Sequence, residues 1–253
     1  MFNLLKKGFI KNKSINMNIY RNINILSIKP ENKYLFNKGS IGFLNEFINS
    51  NIEIHNNLLT KRQSNNKQFG FRDDTKWIRD DKLWKGSVIP NDLQKRHVEI
   101  TGPSSDAKMM INSLNSNADC YITDIEDSLA PNWNNIQDAH HNIYQAIRGD
   151  LIYNKLDNEG EIDKTYKVES DTPTLLVRTR GLHLKEENIL DDNGNAVPAT
   201  LVDMGLHMYH NSKILANNNG ITTGGLYFYI PKIESYEEAL YINKLFNDLQ
   251  EMT

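Results

Sequence analysis

The chain has 253 residues, 39% of them hydrophobic and 24% charged, a balance that supports one large or two small folded domains and excludes a chain too polar to bury a core. A formal net charge of −3 gives no electrostatic reason to expect nucleic acid or an acidic membrane as partner, and no apolar run approaches the roughly 18 residues that span a bilayer. Cys120 is the only cysteine, so no internal disulfide can form, which fits a reducing compartment.

The first thirty-odd residues differ from the rest. Lys6, Lys7, Lys11, Lys13, Arg21 and Lys29 precede or flank Phe2, Leu4, Leu5, Phe9 and Ile10, and no acid occurs before Glu31. A basic, acid-free leader of this kind reads as a mitochondrial presequence or as an Asn-rich disordered extension, and the scarcity of arginine and serine weighs toward the extension. Next, Ile41, Leu44, Ile48, Ile52 and Leu59 recur near a helical period. The polar stretch from Lys61 to Asp74, with Gly70, reads as a linker or exposed loop.

Beyond Trp84 the pattern alternates between strand and helix. A short β-like run at Val98–Thr101 stops at Gly102-Pro103, and Ala107, Met110, Ile111 and Leu114 then mark one helical face. Cys120–Thr123 predicts a second strand, followed by the helical stripe Ile136, Ala139, Ile143 and Ile147. Thr174–Val177 predicts a third strand and Leu201–Leu215 a helix. Leu226–Ile230 is apolar without clear alternation, as expected of a strand buried on both faces. Ser235 then opens a last helix with Glu238 at capping-box spacing.

Four strand–helix units in succession predict an α/β fold with a parallel sheet. An open doubly wound sheet and a (β/α)8 barrel both begin this way. Polar residues follow each strand: Asp124, Glu126 and Asp127 after the second, Arg178 and Arg180 at the third, Lys232 and Glu234 after the fourth. Functional groups at successive carboxyl ends favour the barrel, although an open sheet obeys the same rule at its switch point.

Asp124, Glu126 and Asp127 repel one another and call for a cation, an arginine or several donors nearby. A hard divalent ion, directly or through water, would suit them; a solvated loop, or Asp127 and Ser128 capping the next helix, is the plainer alternative. Arg178 and Arg180 would point the same way if the strand period held through both. Their guanidinium forks suit a small oxo acid or an enolate, or an ion pair with the Asp124 cluster on the adjacent strand. His183, His207 and His210 make no recognisable metal site. Gly224-Gly225 precedes a strand and reads as a turn, and Cys120 as a small core residue.

Several ordered blocks resemble the malate synthases of the shorter, glyoxylate-cycle form. They are Arg72-Asp73-Asp74-Thr75-Lys76-Trp77, the run Ile89-Pro90-Asn91-Asp92-Leu93 through Thr101-Gly102-Pro103, and Asp124-Ile125-Glu126-Asp127-Ser128-Leu129-Ala130-Pro131-Asn132-Trp133. Ala146-Ile147-Arg148-Gly149, Val177-Arg178-Thr179-Arg180-Gly181-Leu182-His183-Leu184 and Tyr227-Phe228-Tyr229-Ile230-Pro231-Lys232-Ile233-Glu234-Ser235 complete the set. The similarity runs from about Leu44 to the last residue.

The resemblance implies condensation of acetyl-CoA with glyoxylate and hydrolysis of the product to malate and CoA, with Mg2+ as cofactor. It implies an N-terminal helical clasp at 34–84, after a leader at 1–33, and at 85–253 a partial (β/α)8 TIM-type barrel of about four βα units. It makes Arg178 the catalytic arginine that binds glyoxylate and stabilises the enolate. Glu126 and Asp127 would hold metal-bound waters, with Asp124, Arg180 and Glu234 as further residues around the substrate.

The family's direct Mg2+ ligands and its catalytic base would fall beyond Thr253, so no direct metal ligand is expected in this chain and the chain alone is expected to be inactive. Two readings follow. Either it is part of a working enzyme, through an incompletely read gene or a separately encoded C-terminal half, or it is a non-catalytic remnant. A lyase acting on an acyl-CoA is a third. The family points to a peroxisomal (glyoxysomal) or cytoplasmic setting, and the basic leader to mitochondria.

Overall fold

A computed structural model describes residues 22–64, 70–217, 220, 222 and 224–253. In chain order the elements are β1 (Asn24–Ile25), α1 (Lys38–Ser64), α2 (Lys76–Asp80), β2 (Glu99–Pro103), α3 (Ala107–Leu114), β3 (Cys120–Asp124), α4 (Trp133–Arg148), β4 (Ile152–Leu156), β5 (Ile162–Lys167), β6 (Thr174–Arg178), β7 (Lys185–Leu190), β8 (Ala196–Pro198), α5 (Ala199–Ala216), β9 (Tyr227–Tyr229) and α6 (Tyr236–Met252). No described helix is long and apolar enough to cross a membrane.

The four strands expected from the alternating pattern form one parallel sheet in the order β2-β3-β6-β9, each followed by a helix. The register puts Pro103, Asp124, Arg178 and Tyr229 at one level. One face carries Tyr121, Leu175 and Val177 into the main core with Met110, Ile111, Ile136, Ile143 and Leu201 from the helices. The other face holds a smaller cluster of Cys120, Ile122 and Leu176, against which Leu93 and Tyr227 pack. Parallel strands need long crossovers, and the helices that make them leave the second face to the strand-end residues. The sheet does not close into a barrel among the described residues.

Local chemistry explains the helix ends. Asp106 caps α3 by accepting from the Met109 N–H at 2.8 Å, and Asn132 caps α4 by accepting from Asn135 at 3.0 Å; that role had been open to Asp127 and Ser128. Gly149, at φ 80°, ends α4 in the left-handed conformation that favours glycine. Ser235 caps α6 by accepting from the Glu238 N–H at 3.2 Å, while the Glu238 carboxylate reaches past it to the Glu234 N–H at 2.7 Å.

The helix α1 runs past the periodic residues and lies on α5. Leu44, Phe47 and Ile48 are all but fully buried there, each burial being worth on the order of 1.5–3 kcal/mol. The approach is close at Gly205, where a Cβ would lie 2.6 Å from Leu44 Cδ2 and force that side chain to shift.

Three expectations need correction. The segment 22–33, grouped with the leader, belongs to the folded unit. Asn24–Ile25 pair antiparallel with β7, the Trp133 indole donates to the Ser27 carbonyl at 2.5 Å, and the Lys29 N–H donates to Gln137 at 2.8 Å. Residues 1–21, where most of the basic leader falls, lie outside the described residues. Second, the chain has more β structure than four strands: a β4–β5 hairpin follows α4, and β1-β7-β8 form a small antiparallel sheet. Third, the last strand is not buried on both faces: Tyr227 and Phe228 are half-buried and Tyr229 is 43% exposed, while its open edge, with β6 as its one pairing neighbour among the described residues, is as expected.

Two predictions follow from this packing. His207 in α5 is buried, accepts from Asn211, and has its pKa lowered to about 3, by burial first and then by His140, His210 and Arg148. The folded protein therefore keeps His207 neutral where the unfolded chain takes up a proton. Stability is full above about pH 6.5 and falls as pH drops toward 3, by up to about 1.4 kcal/mol per pH unit from this residue. Urea denaturation between pH 7 and 5 should show the decline, and His207→Gln should flatten it; an unchanged slope would contradict the assignment. Separately, β2 and β9 each offer an unpaired edge among the described residues, which invites association. Residues 1–253 alone should sediment as oligomers, and a monomer with strongly protected β9 amides would refute that.

Candidate active site

Three acids meet two cations at the carboxyl ends of β3, β6 and β9. Asp124 is the last residue of β3 and pairs in register with Arg178, the last of β6. Asp124 is buried and satisfied locally: it accepts from the Glu126 N–H at 2.7 Å, the Ser128 N–H at 3.0 Å and the Ser128 hydroxyl at 2.9 Å. That turn throws Glu126 and Asp127 toward Arg178.

The Arg178 guanidinium donates to Glu126 at 2.7 Å and Asp127 at 2.5 Å, and lies 3.5 Å from Asp124. Burial disfavours its charge, but the three carboxylates outweigh burial and hold its pKa above the ordinary value. The Arg178 guanidinium carbon also lies 5.6 Å from the centre of the Tyr229 ring. The buried Nε–H of Arg178 has no hydrogen-bond partner among the described residues, and such a donor marks a place where a ligand atom would be welcome.

Lys232, just past β9, closes the cluster from the far side, with Nζ at 3.0 Å from Glu126 and 2.8 Å from Asp127. Lys232 and then Arg178 lower the Asp127 pKa, and the same carboxylates raise that of Lys232. Glu126 also accepts from the Gly181 N–H at 3.1 Å. The ion-pair alternative for the arginine is thus what the geometry contains. It leaves the buried Nε–H of the guanidinium unpartnered among the described residues.

The strand period fails one residue after Arg178, and this separates the two arginines. The strand β6 ends at Arg178, and the Arg180 N–H turns away to donate to Asp203 of α5 at 2.9 Å. The Arg180 side chain follows, with two further bonds to Asp203 at 3.0 and 2.7 Å and one to Glu186 at 2.7 Å. All three side chains are buried. Burial opposes both charges, yet their mutual attraction keeps the Arg180 pKa high and that of Asp203 low. Arg180 therefore does not join the cluster. Glu234 does not join it either; it lies 3.6 Å from Arg62 of α1.

Among the described residues no three His, Cys, Asp or Glu side chains converge to hold a metal ion. His207 and His210 are packing residues, and His210 bonds the Leu35 carbonyl at 2.8 Å. Sequence reasoning placed Lys232 after the fourth strand without assigning it a role, and it missed Asp203. A lone acid in the apolar run Leu201-Val202-Asp203-Met204 is the signal that could have found it, since such a group needs a buried partner.

The fold and the site together define an α/β protein with a parallel sheet whose strand ends bear a mixed acid–cation cluster, the placement that barrel and open-sheet α/β enzyme sites share. Residues 174–253 match the family model of the malate synthase TIM barrel domain. The chain is 34% identical over 223 residues to malate synthase A of Escherichia coli, covering 86% of this chain and 40% of that protein. It is 35% identical over 231 residues to the glyoxysomal malate synthase of Candida tropicalis, covering 88% and 40% respectively. It is 41% identical over 169 residues to the bifunctional glyoxylate cycle protein of Caenorhabditis elegans, covering 67% of this chain and 16% of that one. The chain belongs to the malate synthase family, and it spans at most about two fifths of the length of these relatives.

The two arginines should separate in a stability measurement. Arg180→Met leaves Asp203 and Glu186 buried without their cation, and urea denaturation should report a loss on the order of 3–5 kcal/mol. Arg178→Met removes a cation from carboxylates that Lys232 and backbone N–H groups still hold, and should cost clearly less. Equal losses would mean that the Arg178 cluster is as structural as the Arg180 one.

Proposed function

We propose that this chain carries the glyoxylate-binding side of a malate synthase site, for the reaction of acetyl-CoA, glyoxylate and water to malate and CoA, with Arg178 as the catalytic residue. The observation that carries the reading is the Arg178 guanidinium, held by Glu126 and Asp127 at the end of β6 with its Nε–H unpartnered. A fixed guanidinium can donate to the carboxylate or carbonyl oxygen of a two-carbon oxo acid and stabilise the oxyanion of an enolate. The neighbouring acids keep it charged and oriented, and Asp124 holds the turn that presents them. Arg180 acts from below, through its bonds to α5.

The domain reading that goes with this is a helical clasp over residues 34–84 and, over 85–253, the first βα units of a barrel, supported by the parallel order β2-β3-β6-β9 with a helix after each strand. Mg2+ is the family's cofactor. The described residues do not form a direct site for it, since the oxygens of the three acids are engaged by Arg178, Lys232 and backbone or hydroxyl donors. The turnover steps that need a base and bound acetyl-CoA belong to sequence that the longer relatives possess beyond the matched part, supplied on the same or a second polypeptide. Relatives named glyoxysomal favour a peroxisomal setting, with the cytoplasm as the alternative; the comparisons lend no support to mitochondria.

Calorimetric titration with glyoxylate tests the reading. The chain should bind it, and Arg178→Lys, which keeps the charge and loses the fork, should bind about 10-fold more weakly or worse. Unchanged binding would defeat the assignment. Residues 1–253 alone should release no CoA from acetyl-CoA and glyoxylate at millimolar Mg2+. In the completed enzyme Arg178→Lys should lower turnover by about 10²-fold.

A further inference from the structure

Lys232 is the one described non-glycine residue with positive φ, at 54°. A side chain in that left-handed conformation is unfavourable and persists where its surroundings over-determine it, most often at functional positions. The surroundings here are specific. The Arg62 guanidinium, at the end of α1, donates to the Lys232 carbonyl at 2.7 Å. Arg62 is itself held by Glu238 at 2.8 and 3.0 Å, a buried carboxylate that also accepts from the Glu234 N–H at 2.7 Å. The turn 231–235 is therefore pinned at both ends by one arginine–glutamate pair outside the cluster.

The result of that strain is the direction of the ammonium. Lys232 Nζ takes one oxygen each from Glu126 and Asp127, and Arg178 takes the other oxygen of each. Each carboxylate is thereby stretched between two cations, and its rotation is fixed. With Lys232 the cluster of Asp124, Glu126, Asp127, Arg178 and Lys232 carries a formal charge of −1; without it the charge is −2, and an incoming carboxylate meets stronger repulsion.

We infer that Lys232 is a positioning residue of the site, kept in a strained backbone conformation by Arg62 and Glu238 so that its ammonium orients Glu126 and Asp127 and makes room electrostatically for an anionic substrate at Arg178. The inference rests on the glyoxylate reading above. A glycine at this position relieves the strain and deletes the cation, so stability and binding should move in opposite directions. A lysine kept for structure alone would lose on stability and leave binding untouched.

Thermal unfolding and glyoxylate calorimetry on the full chain decide. Lys232→Gly should raise Tm by about 2–4 °C, the shift of a chain this size when one strained residue is relieved, and should weaken glyoxylate binding about 10-fold. Lys232→Arg should keep the affinity and leave Tm where it was. A lower Tm for Lys232→Gly overturns the inference. So does unchanged glyoxylate affinity in Lys232→Gly while Arg178→Lys loses it. Should the wild-type chain bind no glyoxylate, the reading of the previous subsection fails on its own, and the sign of the Tm change alone then upholds or overturns the strained role of Lys232.

Discussion

Three carboxylates within four residues cannot be packed against the end of a sheet unless cations are brought to meet them. The parallel register is what brings them. Because β3, β6 and β9 run the same way and in step, Asp124, Arg178 and Tyr229 end at one level, and the turns just beyond inherit that level. Glu126 and Asp127 rise from one strand end, Arg178 from the next, and Lys232 from the third. An antiparallel neighbour would have put a strand start beside Asp124 and left its charges unmatched. The site is thus a consequence of strand direction before it is a consequence of any single side chain.

A second charge cluster lies beneath the first and does different work. Arg180, Asp203 and Glu186 are buried between β6, β7 and α5, where an ion pair contributes little net stability but is costly to break. What it supplies is direction. By taking the Arg180 N–H and side chain, Asp203 ends the strand at Arg178 and leads the chain through Gly181, whose N–H then reaches Glu126. The lower cluster thereby sets the upper one. Two arginines separated by one residue end up in opposite environments, one buried and saturated, the other at the surface of the sheet with a donor to spare.

The first helix ties into the same region from outside. Its middle is held on α5 by Leu44 and Phe47 over Gly205, and its end delivers Arg62 to the turn after β9. Residues far apart in the chain, near 62, 126, 178, 203 and 232, therefore act on one small volume.

Periodicity and composition were enough to place the four parallel strands and their helices, because buried parallel strands and amphipathic helices leave strong local patterns. Capping chemistry located the start of α6, and the blocks around Asp124 and Arg178 pointed to the chemistry and the family. The β4–β5 hairpin and the β1-β7-β8 sheet went unread, although Asn158-Glu159-Gly160 and Asp192-Asn193-Gly194 are turn signals; β4 and β5 are almost wholly exposed, and β7 opens on Lys185-Glu186-Glu187, so none of the three presents a continuous apolar run. The fate of Arg180 and Glu234, the strain at Lys232 and the reach of Arg62 were decided by the tertiary structure alone. Each depends on partners that the fold brings together, Asp203 for Arg180 and Arg62 for Glu234 and Lys232, and a charged side chain carries no local mark of which distant charge it will meet.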